Sequence, residues 1–197
     1  MVLSKGRLEM NLECELCDLS ATRTNVVWSR HNRNGDVTRQ CDLMCIGEAP
    51  GEAEDITGFP FVGESGRLFE LMCRSVGLTS HDFYVCLMVK CKPSELPKPT
   101  SPQIKACRPY LNYQIEQVNP RIILCLGGSV GKAIIGKDFL ITKDRGKVYD
   151  IDNRKVIATF HPSYLMRFPE LSDGSKKWLT WQDMITLRRL YDGNLTY

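Results

Sequence analysis

Three short runs, residues 43–46, 83–89 and 122–126, are apolar at nearly every successive position instead of alternating with polar residues. A strand without a polar face has to be covered on both sides, as strands in parallel sheets are. The stretches between and after these runs have helical spacing. Residues 67–76 place Leu68, Phe69, Leu71, Met72 and Val76 together, and Gly77 closes that helix. Ser101-Pro102 suits a helix start, since serine can cap and proline fits the first turn. Leu111, Ile115 and Val118 give this helix one apolar face, and Pro120 ends it. A short helix is predicted over residues 129–135 after Gly127-Gly128, and a last one over 176–190. Val148-Tyr149 and residues 156–160 read as strands around an Asp152-Asn153 turn. Strand–helix alternation of this kind predicts an α/β fold, a parallel sheet with helices on both faces. Such sheets bind ligands beyond the C-terminal ends of their strands.

The chain has 197 residues, 43% hydrophobic and 25% charged, enough for one globular domain over residues 1–197. No run of about 18 apolar residues suggests a membrane span, and the start lacks the apolar core of a secretory signal. The net charge of +3 permits an anionic partner without naming one. Nine cysteines without a secretory signal argue against a disulfide framework. They fit a reducing compartment, the cytoplasm, with metal-bound and buried thiols. Cys14 and Cys17 form a C-x-x-C pair, and Cys91 and Cys107 have fifteen residues between them. Four thiolates suit tetrahedral zinc or a [4Fe–4S] cluster, and spacing alone does not choose. Cys45, Cys73, Cys86 and Cys125 sit in apolar patterns and read as core residues. The polar stretch 28–40, with Arg30, His31, Arg33 and Arg39, reads as a solvated loop or hairpin.

Two segments fall where a site is expected. Gly47-Glu48-Ala49-Pro50-Gly51 follows the first strand, and its small residues let backbone amides approach a ligand closely. Glu52, Glu54 and Asp55 come next, then Gly58-Phe59-Pro60-Phe61-Val62-Gly63. A carboxylate here can position water, and Phe61 can serve either as core filler or as a platform for a stacked base. His161-Pro162-Ser163 follows a later strand. His31 and His81 read as loop residues. Lys90, Lys92, Lys98, Lys105, Arg108, Arg145 and Lys147 supply positive charge that can meet phosphates.

These motifs, in this order, resemble the family 4 uracil-DNA glycosylases. The likeness rests on Cys14-x-x-Cys17 with Thr22-Arg23-Thr24, the Gly47–Gly51 loop with Glu54-Asp55, Gly58-x-Pro60-Phe61-Val62-Gly63, Val89-Lys90-Cys91-Lys92-Pro93, Ala106-Cys107-Arg108-Pro109-Tyr110-Leu111, Leu126-Gly127, Arg145-Gly146-Lys147-Val148 and His161-Pro162-Ser163. It implies a three-layer α/β/α sandwich with a mainly parallel sheet of about four strands. It implies excision of uracil from DNA by N-glycosidic hydrolysis, leaving an abasic site, after the nucleotide is flipped from the stack. It also implies a [4Fe–4S] cluster in preference to zinc on Cys14, Cys17, Cys91 and Cys107. His161, Glu54 and Glu48 would be the catalytic residues; Gly47, Ala49, Gly51, Phe61 and the residue at Leu87 would hold the base. Ser163, Leu165, Met166 and Arg167 would touch DNA, the last three as a wedge filling the emptied stack.

Leu87 departs from the family, which carries an asparagine there to read the uracil edge. Leucine makes no hydrogen bond, at a cost of about 1–3 kcal/mol for each buried group left unpaired. Two expectations therefore stand: a monomeric glycosylase with weaker activity or shifted base preference, or a glycosylase-fold DNA-binding module. A related branch occurs as domains in phage DNA polymerase systems, which admits replication proteins as partners beside DNA.

Overall fold

The computed structural model describes residues 12–30, 40–93 and 98–194. The expectations for His31, Arg33 and Arg39 lie outside these residues. Five strands form one sheet: β1 (Leu43–Gly47), β2 (Phe83–Leu87), β3 (Ile122–Leu126), β4 (Val148–Ile151) and β5 (Arg154–Thr159), in the order β2-β1-β3-β5-β4. The first four of that order run parallel, and β4 closes the edge antiparallel to β5. The mainly parallel sheet is the one expected, its four parallel strands joined by an edge strand from the hairpin read around Asp152 and Asn153. Both turn residues have positive φ (48° and 61°), the geometry that matches strand twist.

Continuous apolar runs do become strands buried on both faces. Leu43 and Cys45 of β1, Val85 of β2 and Leu124 of β3 join one core, covered by α2 (Glu64–Arg74), α6 (Pro162–Leu165) and α7 (Lys176–Tyr191). Met44, Ile46, Cys86 and Cys125 join the opposite core, under α3 (Ser101–Val118) and α4 (Gly128–Ile134). The result is three layers. The cysteines assigned to the core, Cys45, Cys73, Cys86 and Cys125, are fully buried there. Burial pushes their thiols up, away from the reactive thiolate form. Two further short helices, α1 (Glu52–Thr57) and α5 (Ile141–Asp144), sit in connections at the sheet's C-terminal edge.

Residues 83–89 do not all pair as strand. After Leu87 the chain leaves the sheet, and the Met88 and Val89 N–H groups donate to the carbonyls of Gly47 and Glu48 at 2.7 and 3.0 Å. The start of the stretch expected to be solvated is instead interior. Trp28 and Ser29 are fully buried; Ser29 bridges Cys86 of β2, and the Trp28 ring meets Tyr110 edge-on at 4.9 Å. The indole belongs to a third apolar cluster, built around Cys14, Cys91 and Cys107.

Candidate active site

The C-terminal ends of β1, β2, β3 and β5 open onto a cleft of about 550 Å³. Glu48, Ala49 and Gly51 line one side, His161, Ser163 and Arg167 the other, with Glu54, Phe61 and Leu87 also in the lining. Gly47 lies beneath: a Cβ there would meet Leu87 Cδ2 and Phe61 Cζ, each at 2.7 Å. Only glycine lets these two side chains close over the end of β1.

His161 is the N-cap of α6. Its Nδ1 accepts the backbone N–H of Ser163 at 3.2 Å, with the Ser163 hydroxyl 2.8 Å away. An Nδ1 that accepts a backbone donor is unprotonated, so we assign the neutral ring's proton to Nε2. Burial lowers the His161 pKa to about 4, against the opposing influence of the Glu54 charge. The ring is therefore neutral at pH 7. It packs on Gly127, where φ is +98° and a Cβ would lie 3.2 Å from the His161 Cβ. The strand below is pinned by Asp183 of α7, which accepts from the Thr159 hydroxyl at 2.6 Å and pairs with Arg145. Burial raises the Asp183 pKa despite both partners.

Phe61 lies between Phe69 and His161, with ring centroids 5.0 and 6.1 Å away. Glu54 is occupied by backbone. Its carboxylate accepts from Val62 N–H at 3.0 Å, Gly63 N–H at 2.9 Å and Gly51 N–H at 3.1 Å. It braces two loops together, which leaves the Glu48 carboxylate as the freer acid at the cleft. Asp55 does similar work behind the site, accepting from the Thr24 and Asn25 amides and so tying α1 to the segment after Cys17.

The expected wedge divides. Arg167 lines the cleft and Met166 is half exposed, but Leu165 is 1% exposed and sits in the core between α2 and α7. One turn of α6 points it inward, so Leu165 does not face DNA in this conformation. Sequence reasoning also passed over Lys132 and Tyr164, both in the cleft lining. Lys132 could have been found from its place on the helix that follows β3, at the edge where ligands bind.

Cys14, Cys17, Cys91 and Cys107 line one small cavity on the far side of the Gly47–Gly51 loop, walled by Trp28, Arg23, Lys90 and Tyr110. Among the described residues no three His, Cys, Asp or Glu side chains are arranged to hold a single metal ion. Burial pushes the Cys91 thiol up to about 12, the neighbouring thiols add to the rise and Arg23 opposes it. The Lys90 N–H donates to Cys107 Sγ at 3.5 Å. Two buried donors on this wall, Trp28 Nε1 and Arg23 Nη1, have no partner. Four thiols and unmatched donors around one cavity fit a group that is cationic at its metals and accepting at its sulfurs.

No helix among the described residues is long and apolar enough to cross a membrane. The profile of the Uracil DNA glycosylase superfamily matches residues 35–185. A type-4 uracil-DNA glycosylase of Thermotoga maritima is 43% identical over 157 residues, 79% of each chain. One from Archaeoglobus fulgidus is 35% identical over 170 residues, 82% of each chain. A DNA polymerase of Bacillus phage SP01 is 29% identical over 140 residues, which are 71% of this chain but 15% of the polymerase. The chain belongs to the uracil DNA glycosylase superfamily and, within it, to the type-4 family.

Proposed function

We propose that this protein excises uracil from DNA by hydrolysing the N-glycosidic bond. The observation that carries the reading is His161 in the cleft lining with its Nδ1 engaged by the Ser163 N–H, which assigns the ring's donor to Nε2. Deoxyuridine turned out of the stack would lie on Phe61, with backbone amides of Glu48 and Ala49 on its edge. As the glycosidic bond breaks, its electron pair passes to the uracil ring and gathers on a carbonyl oxygen. The His161 Nε2–H donates to that oxygen and stabilises the departing anion. Water adds to the sugar carbon, positioned by Glu48, and releases a proton to solvent. Glu54 contributes through the loops it holds. Lys98, Lys132 and Arg167 at the cleft supply charge for the DNA backbone.

Cys14, Cys17, Cys91 and Cys107 would hold a [4Fe–4S] cluster, which ties the N-terminal segment to α3 and the Leu87–Cys91 segment. Such a centre implies a reducing intracellular setting. Leu87 supports a second reading, a DNA-binding module with little catalysis, because it presents an apolar wall where the family reads a polar edge.

Uracil release from single-stranded and G·U duplex oligonucleotides separates the two. Release by the native protein that falls about 10²–10³-fold in His161→Ala supports the enzyme. A gain of about tenfold in Leu87→Asn would show that the leucine limits base recognition. Retained DNA binding with no release by the native protein would leave the binding module standing.

A further inference from the structure

Phe61 holds its backbone at φ 58°. A left-handed conformation costs a bulky residue of order 1–3 kcal/mol unless its surroundings fix it. On the C-terminal side the fixing comes from Glu54, through the Val62 and Gly63 amides. On the other side the Phe61 carbonyl accepts from Arg30 Nη2 at 3.0 Å. The Nη1 of the same guanidinium pairs with Glu70 of α2. The Arg30 and Glu70 side chains are only 19% and 23% exposed, so this pair is partly shielded from solvent. Arg30 is itself anchored, its backbone N–H donating to Val85 of β2 at 3.3 Å. Under the same carbonyl, Gly66 is so close that a Cβ would sit 2.0 Å from Phe61 O. The Phe61 peptide is thus clamped between a glycine below and a planar cation above. Arg30 does not line the cleft.

We propose that Arg30 is a positioning residue for the Phe61 platform, with Glu70 orienting it, so that a pair outside the cleft sets how closely the ring can meet a base. This rests on the reading that Phe61 stacks on the flipped base. The guanidinium fits the task because its fixed fork meets a carbonyl and a carboxylate together, which an ammonium does with less control of direction. Removing it would release the carbonyl side of the clamp while changing the identity of no cleft-lining residue.

The test uses the full chain with Arg30→Met, Arg30→Lys and Glu70→Gln. Three quantities are read: the affinity for free uracil, single-turnover release from a single-stranded oligonucleotide, and Tm. The clamp predicts that Arg30→Met weakens free-uracil binding and slows release, each about tenfold, at temperatures well below its Tm. Arg30→Lys should recover part of both, and Glu70→Gln should fall between native and Arg30→Met. A lowered Tm with uracil affinity and release within twofold of native would overturn the proposal and leave the pair as a tie between β2 and α2. Should Arg30→Met not fold, Glu70→Gln and Arg30→Lys decide alone, and native values in both would overturn it. A native protein that neither binds nor releases uracil would sink the functional reading and this proposal with it. Native activity with indifferent Arg30 and Glu70 variants would sink only the proposal.

Discussion

At the scale of single residues, His161 combines two roles that reinforce one another. As a helix cap it accepts a backbone amide at Nδ1, and that contact fixes which nitrogen carries the proton facing the cleft. Protonation would turn the accepting nitrogen into a donor opposed to the Ser163 N–H. With a pKa lowered to about 4, uracil release should be level from about pH 5 upward as far as this group is concerned, and should fail near pH 4. The same shift affects stability. In the unfolded chain histidine titrates near ~6.5, so between about 6.5 and about 4 only the unfolded state gains a proton. Stability from this group is intact above that window, declines as pH falls through it and levels off below. Urea unfolding at pH 7 and pH 4.5 should show a steeper loss for the native protein than for His161→Asn. That His161, Phe61 and Glu48 line one cleft was legible from the motifs and the resemblance they carry, since two of the motifs lie just past strands. The parts played by Glu54 and Leu165 were not. Their roles depend on where a carboxylate finds amides and on which way one turn of helix points, and neither is written in spacing.

At the scale of elements, the site is a set of strand ends held by side chains from their neighbours. Glu54 joins the Gly51 and Phe61–Gly63 loops, and Glu54→Ala would leave three backbone amides without their acceptor. Each unsatisfied group costs about 1–3 kcal/mol, so unfolding free energy should drop by ~3 kcal/mol or more in urea titration. Glu54→Gln should recover part of it. Asp183 does comparable work for the strand that leads to His161. Arg145→Met would leave a buried carboxylate with only the Thr159 hydroxyl and should destabilise by about 3–5 kcal/mol, read as a lowered urea midpoint. Strands β1, β2 and β3 were plain in the sequence, since each is an uninterrupted apolar run. Helices α1 and α5 were missed because six and four residues are too few for periodicity to register. Trp28 was misjudged because the polar residues after it masked an indole whose neighbours Cys91, Cys107 and Tyr110 lie far along the chain.

At the scale of the whole molecule, the cleft and the cysteine cavity are joined by one short piece of chain. Residues 87–91 run from the Leu87 wall to Cys91, and along the way their amides bond to Gly47 and Glu48 in the loop that lines the cleft. Lys90 lies fully inside this piece, its ammonium bound to the Leu87 carbonyl and to Gln114, its N–H to Cys107. The interior position of Lys90 between Cys91 and Cys107 was not readable from sequence, where it looked like one more charge for phosphate. The shared segment gives the two sites a physical route for coupling, and any coupling along it is reciprocal. Whatever factor the filled cysteine cavity adds to the affinity for uracil, uracil must return to the retention of whatever fills that cavity. With the proposed cluster in that cavity, such coupling predicts that saturating free uracil slows the loss of its absorbance to a chelator, and that Phe61→Ala, if the ring stacks on the base as proposed, blunts that protection. An absorbance trace recorded with and without a colourless pyrimidine would then report on base recognition with no DNA in the cuvette.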